Sequence, residues 1–383
     1  MNEAQAVISV SIHDEAVSLE VLIKAVFTAC QQLLKFDTIV QTFTAQDFIA
    51  DVALLSITDT NAQQLKLSER ALKIVNRYLW SELVVGFVKN KSTIQINVSA
   101  LPMKLPTSMV GRFVYHFLPY RRGVIVDNIK RAYGARVSAS QVEQLAKAHY
   151  THLATLLGEL ISFRFMSLKA RAQRVRVDGV PELTQAFFAE KGIIILTGHF
   201  GNFEVSTVSG IEHFPQVKGR IHFLRRPIKP KWLSDFLTKR FNQAGFGVVG
   251  RRGSLDEIVT ILEKGDAIVF PFDQYARRPE GIEIPFFDVP AGTHKSMAVI
   301  AMATDSPVMP AASWREPDGT HVLKFWPPLK PIEHDDVGQE IRLNTAQYNE
   351  ALEQLVLAHP EQWWWVHRRW KNQRPVTSTQ LSE

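Results

Sequence analysis

The chain has 383 residues, 46% hydrophobic and 21% charged, enough apolar material for one large domain or two smaller ones. Its single cysteine, Cys30, excludes an intrachain disulfide and any multi-cysteine metal centre, and reads as a small buried hydrophobe within "AVFTACQQLL". The net charge of +6 is uneven, since residues 1–104 hold 9 basic and 10 acidic residues and the remainder holds 35 against 28; such a basic body suits an acidic partner.

The first hundred residues read as a separate small α+β unit. "AVISVSI" alternates like a strand, "SLEVLIKAVFTACQQLLKF" is periodic like a helix behind Ser18 as N-cap, and "STIQINVSAL" alternates like a closing strand. "LPMKLPTS", with two prolines, is the best boundary, and it divides 1–104 from 105–383. "MVGRFVYHFLPYRRG" reads as an amphipathic helix broken at Pro119 and followed by Arg121 and Arg122. "SQVEQLAKAHYTHLATLLGELI" opens on Ser140 and Glu143 at capping-box spacing. Leu145, Ala148, Leu153, Leu156, Leu157 and Leu160 then recur at helical spacing, which predicts a core helix.

From residue 174 onward strand and helix signals alternate. "RVRVDGV", "IIILTG", "DAIVFPF", "PVMPAASW" and "HVLKFW" read as strands, and "PELTQAFFAEKG", "SLDEIVTILEKG", "SMAVIAMATDS" and "TAQYNEALEQLVLAHPEQW" as helices. Short apolar strands separated by helices predict an α/β fold with a layered, parallel or mixed sheet. No apolar run reaches the ~18–20 residues of a bilayer span, and "MNEAQAVISV" lacks the pattern of a secretory signal. A cytoplasmic protein, soluble or peripheral on a membrane, is expected.

"IIILTG" delivers the chain to the carboxyl end of a buried strand, where open α/β sheets bind ligands. The turn that follows, "GHFGNFE", packs Gly198, His199, Gly201, Asn202 and Glu204 together. A carboxylate on one imidazole nitrogen would fix the tautomer, leaving the other free to take a proton from a hydroxyl. The residues of the turn leave this reading and a solvated, capped turn equally open. No zinc-like spacing, serine-nucleophile elbow or phosphate-binding loop appears, and "HDD" at His334–Asp336 reads as a solvated turn.

Several blocks, in order, carry a resemblance. "GHFGNFE" resembles the HxxxxE active-site block of the bacterial lipid A late acyltransferases, the lauroyl/myristoyl transferase family. "FVYHFLPYRRGVIVDNIKRAYG" resembles that family's opening segment, "LRRPIKP" its Arg-Pro block at Arg226-Pro227, and "FPFDQ" its Pro-Asp-Gln block with Phe272 intervening. "HPEQWWWVHRRWK" resembles its C-terminal signature, so that the resemblance spans about residues 108–375. Residues 1–104 lie outside it and are expected to form a docking or dimerisation module.

The resemblance implies transfer of a fatty acyl group from an acyl carrier protein thioester, or from CoA, to a hydroxyl or amine of a lipid or glycolipid acceptor, without metal or cofactor. It implies His199 as general base and Glu204 as its partner, with Arg226, or else its neighbour Arg225, gripping an oxyanion or phosphate. Gly198, Asn202, Asp273, Gln274, His367, Arg368 and Arg369 are the further candidates for substrate binding. Acyl carrier protein and the anionic face of an inner membrane are the expected acidic partners, in preference to nucleic acid, for which no module is visible. A non-catalytic acyl-carrier or lipid-binding protein and a thioester hydrolase are the rival readings. Three consecutive tryptophans, 363–365, cannot share one helix face, and Trp364 is expected in the core.

Overall fold

The computed structural model describes residues 105–134, 137–188, 191–225, 231–250 and 253–371, together with four strands in the first hundred residues. Those strands, β1 (Gln5–Ser11), β2 (Leu65–Lys66), β3 (Val84–Asn90) and β4 (Thr93–Ser99), form an antiparallel sheet in the order β1-β4-β3-β2. β1 and β4 fall on the two segments expected as strands; the helix expected behind Ser18, with Cys30, lies outside the described residues.

Three helices open the larger unit: α1 (Met109–Phe117), α2 (Arg122–Tyr133) and α3 (Ala139–Ser162). The break between α1 and α2 falls at Pro119, where proline removes a donor and cannot continue the ladder. The capping box of α3 sits two residues earlier than the spacing of Ser140 and Glu143 suggests. Ser138 Oγ accepts from Gln141 N–H, and Gln141 Oε1 accepts from Ser138 N–H, while Ser140 joins its hydroxyl to that of Ser138. α4 (Leu168–Ala172), β5 (Val175–Asp178), α5 (Val180–Phe188), β6 (Ile193–Thr197), α6 (Phe203–Gly210), β7 (Ile221–Arg225), α7 (Lys231–Ala244), β8 (Gly247–Gly250), α8 (Leu255–Glu263) and β9 (Ala267–Pro271) follow. The chain ends through a hairpin, β10 (Gly281–Phe286) and β11 (Val289–His294), then α9 (Ser296–Thr304), β12 (Val308–Arg315), β13 (His321–Phe325) and α10 (Val337–Ala358).

β5 to β9 with β12 and β13 make one seven-stranded sheet in the order β5-β13-β12-β6-β9-β7-β8. β12, β6, β9, β7 and β8 are mutually parallel, and β13 turns back antiparallel to β12. This is the expected α/β layered architecture. Alternate residues of a strand face opposite sides, so β6 feeds two cores. Ile194 and Leu196 pack with α2, α3, α9 and α10, while Ile193 and Ile195 pack on the other face with α5 and α7. The parallel arrangement gathers the carboxyl ends of β6, β7, β9 and β12 on one edge of the sheet.

α3 departs from the expected core helix. Leu145 and Ala148 are fully buried, but Leu157 is 61% exposed and Leu160 36%. Helical periodicity identifies an apolar stripe without saying what covers it. The HDD segment is a helix start: Asp336 Oδ1 accepts from Gln339 N–H as N-cap of α10, and His334 Nδ1 accepts from Asp336 N–H.

Candidate active site

β6 ends at Thr197, and the turn that follows holds His199 over the sheet edge. Two glycines let it come so close. Gly201 has φ +53°, and a Cβ on it would lie 2.6 Å from Ser313 O. A Cβ on Gly198 would press on Phe200 and stand 3.2 Å from Asp273 Oδ2. The turn is held from outside by the C-terminal segment: Gly201 N–H donates to Gln362 O at 3.0 Å, and Trp364 N–H donates to His199 O at 2.9 Å. Ser313 Oγ donates to Phe200 O.

β9 lies beside β6, with Thr197 opposite Pro271, so the residues just past β9 reach the same place. There Asp273, 1% exposed, meets His199. His199 Nδ1–H donates to Asp273 Oδ1 at 2.8 Å, His199 N–H donates to Oδ2 at 2.8 Å, and Trp363 Nε1–H donates to Oδ2 at 3.1 Å. Burial alone would raise this carboxyl, but the imidazole and the hydrogen bonds outweigh it and hold Asp273 well below the usual carboxylate range. Burial likewise works to lower the His199 imidazole, and Asp273 reverses it, leaving His199 above its ordinary value. An ionised carboxylate on Nδ1 fixes the proton there and leaves the Nε2 lone pair for chemistry.

The carboxylate on the imidazole is therefore Asp273, and not Glu204 as expected from the turn. Glu204 stands two residues past Asn202, the N-cap of α6, so the helix carries its side chain away from the turn. It pairs with Arg240 of α7 at 3.1 Å, and its charge also acts on Arg171 and Arg225. Asn202 is a structural brace. Its Oδ1 accepts from Val205 N–H at 3.2 Å, and its Nδ2 donates to Glu159 Oε2 at 3.1 Å. Glu159, from α3, in turn meets Arg315 Nη1 at 2.9 Å and faces His321 Nε2 at 3.4 Å.

The other candidates divide. Arg225, at the end of β7, and Gln274 both line the cavity beside His199. Burial pulls the Arg225 guanidinium down, with Glu204 opposing it. Arg226 lies outside the described residues, as do Arg251 and Arg252. His367 joins the site, its ring centroid 5.3 Å from that of His199. Burial, with His199 and Arg121, pushes His367 down against the pull of Asp273. Arg368 is exposed. Arg369 is not a surface cation at all: fully buried, it donates to Gly292 O, Thr293 Oγ1 and Asn349 Oδ1 and stacks over Phe286. It ties the hairpin to α10. Trp363 and Trp365 are core and Trp364 only half-buried, which reverses the expectation for this run; the segment is not helical there.

A cavity of about 860 Å³ opens beside His199. Its inner wall is aromatic: Phe223, Phe241 and Phe246 cluster between the sheet and α7, and Phe214, against Phe325 of β13, lines it as well. Glu204, Arg225, Gln274, Glu280, His294 and Lys295 are among the polar residues of the wall. Apolar depth with a few polar groups near a titratable pair is the usual form of a ligand site. Among the described residues no group of three histidines, cysteines or carboxylates is arranged to hold a metal, and no helix is long and apolar enough to cross a membrane.

Comparison with known proteins gives this geometry its context. The chain is 24% identical over 283 residues to the lipid A biosynthesis palmitoleoyltransferase of Escherichia coli (strain K12), covering 71% of this chain and 85% of the relative. It is equally similar to the lipid A biosynthesis acyltransferase of Shigella flexneri. The similarity to the lipid A biosynthesis lauroyltransferase of Escherichia coli (strain K12) is 22% over 287 residues, or 72% of this chain and 90% of that one. The profile of the bacterial lipid A biosynthesis acyltransferases runs from residue 96 to residue 372, so that it takes in the whole seven-stranded sheet, the histidine turn and the C-terminal segment that holds it. By that match the chain belongs to the bacterial lipid A biosynthesis acyltransferase family.

Proposed function

We propose that this enzyme moves a fatty acyl group from an acyl carrier protein thioester to a hydroxyl of a lipid A-like glycolipid, with His199 as general base and Asp273 as the residue that orients it. The observation that carries the reading is His199 on the wall of an apolar cavity, held from behind by the buried Asp273. His199 Nε2 takes the proton of the acceptor hydroxyl as its oxygen attacks the thioester carbonyl. The C–O bond forms, the carbonyl pair moves onto oxygen, and collapse of the tetrahedral species breaks the C–S bond. The departing thiolate takes the proton back from His199, so no net charge stays on the enzyme.

Arg225 is a cation on the wall, with Lys295, and its guanidinium suits an oxyanion or an acceptor phosphate; the Glu204 carboxylate that pairs with Arg240 also acts on it. His367 stands near enough to the reacting centre to contact substrate. The aromatic inner wall suits the acyl chain. Its donor carrier is acidic by the family resemblance, which agrees with the basic body. The acceptor would be reached from the cytoplasmic face of the inner membrane. Residues 1–104 would serve docking or dimerisation, and deleting residues 1–100 should then spare turnover on a soluble surrogate.

Incubation with acyl carrier proteins of several chain lengths and a total lipid extract, read by mass spectrometry, tests the assignment. An acylated glycolipid is expected. Free fatty acid as sole product would make the protein a thioester hydrolase, and no thioester consumption would make it a binding protein.

A further inference from the structure

α1 presents its apolar side to solvent. Gly111 and Tyr115 face α3: a Cβ on Gly111 would collide with Thr151, and Tyr115 meets Tyr150 edge-on at 5.7 Å. The opposite stripe of α1 is Met109, Val110, Phe113 and Phe117, between 55% and 87% exposed. Leu118 and Tyr120 continue it at 60% and 66%. Four large apolar side chains on one helix face that no other described element covers exceed the scattered exposure usual on a soluble surface.

A second stripe lies on the outer half of α3. Leu157, Leu160 and Ile161 recur at helical spacing and are exposed, and Phe165 follows at 80%. α3 links both stripes to the active site. Thr151 sits beneath α1, and Glu159, about 12 Å further along the helix axis, grips Asn202 beside the cavity-lining Phe203. Phe203 is itself 44% exposed and meets the His199 ring at 6.0 Å.

The charge around the stripes selects the partner. Residues 105–126 contain Arg112, His116, Arg121 and Arg122 and no acidic residue. Behind the second stripe Lys169, Arg171, Arg174 and Arg176 follow in the sequence; Arg176 is taken up by Asp178 and Glu316 and Arg171 lies in the field of Glu204, so the selection of an anionic partner rests chiefly on α1. Exposed apolar side chains beside a run of cations, as along α1 and the turn after it, are the composition of a surface that lies in an anionic lipid interface. We infer that the outer faces of α1 and of the C-terminal half of α3 form the membrane-docking surface of this enzyme. Docked there, it holds the cavity mouth at the lipid surface where a glycolipid acceptor would enter. The inference rests on the acyl-transfer reading for its purpose, though not for its geometry.

The full chain should co-sediment with vesicles of phosphatidylethanolamine and phosphatidylglycerol. It should bind pure phosphatidylcholine weakly and leave the anionic vesicles as salt rises. Phe113→Ser/Phe117→Ser should lower the partition coefficient by about tenfold or more, because two exposed rings no longer enter the interface. Arg112→Gln should lower it less and flatten the salt dependence. Both variants should keep turnover on a detergent-dispersed surrogate, because neither site touches the cavity. Unchanged vesicle binding in the double variant, or no binding by the wild-type chain, overturns the inference. A p-benzoylphenylalanine in place of Phe117 should cross-link to lipid, and cross-linking instead to residues 1–104 or to a second copy also overturns it. If the vesicle results are as expected but the wild-type chain acylates nothing, the docking surface stands and the acyl-transfer reading falls.

Discussion

Asp273 accepts three N–H donors, from the His199 ring, the His199 backbone and the Trp363 indole, and it is sealed from solvent. Such a carboxylate stays ionised and acts on His199 at all working pH values. Because His199 is raised above its ordinary value, the fraction with a free Nε2 lone pair falls as pH drops through that raised value. The acid limb of kcat/KM should therefore lie above the ordinary histidine range. Asp273→Asn should lower kcat/KM by about 10²–10⁴ through loss of orientation and of imidazolium stabilisation. It should also move the acid limb to lower pH, since the anion that raised His199 is gone; a pH–rate profile reads both effects. Glu204→Gln should act differently, raising KM more than it lowers kcat and leaving the acid limb in place, because Glu204 pairs with Arg240 and not with the imidazole. The turn shows His199 openly in the sequence, but its partner lies 74 residues on and becomes visible only once β9 is known to lie beside β6. Glu204 is near in sequence and distant in function, because one helical turn is enough to redirect a side chain.

At the scale of elements, the histidine turn is held by α3, β12 and the C-terminal segment together. Glu159 of α3 meets Asn202, Arg315 and His321, and removing its charge leaves Arg315 without its carboxylate in a site where both side chains are under one-sixth exposed. Glu159→Gln should destabilise the fold by about 3–5 kcal/mol, the usual cost of breaking a buried pair from one side. Thermal or denaturant unfolding measures it. Five of the seven strands of the large sheet are legible from apolar runs and their alternation, since β6 and β9 are short apolar runs between turn residues. β7 and β8, with α4, α6 and α7, give no such signal, because each is short or carries polar residues among its apolar ones. Three further features are not legible for stated reasons. Ser138 caps α3 because glutamine serves as well as glutamate at the third position. The β10–β11 hairpin turns through Phe287 and Asp288, both at positive φ, and a phenylalanine there gives no turn signal; Glu353 Oε1 holds it by accepting Phe287 N–H. Arg369 looks like a surface cation beside Arg368 until its three acceptors are seen.

For the whole molecule, the question is how a sheet enzyme measures an acyl chain. The aromatic inner wall of the cavity lies between the sheet and α7, where Phe223, Phe241 and Phe246 meet with centroids 4.9–5.9 Å apart. Val248 of β8 lines the same wall and is half-buried, so its side chain has cavity on one side and core on the other. A chain reaching inward from His199 would stop against this group, and the space left there would set its length. Val248→Phe adds volume at the stop without removing a core contact. It should cost about 1–3 kcal/mol of stability, as overpacking does, which a folded domain of this size withstands. The distribution of acyl groups on the product should shift toward shorter chains, with kcat for a short donor largely kept and KM for a long donor raised. Competition between carrier-linked donors of two lengths, read as the ratio of products, isolates the effect from any general loss of activity. An unchanged ratio in a folded, active variant would place the acyl chain in the other part of the cavity, near Leu255, Ile258 and Ile300 on the opposite face of the sheet.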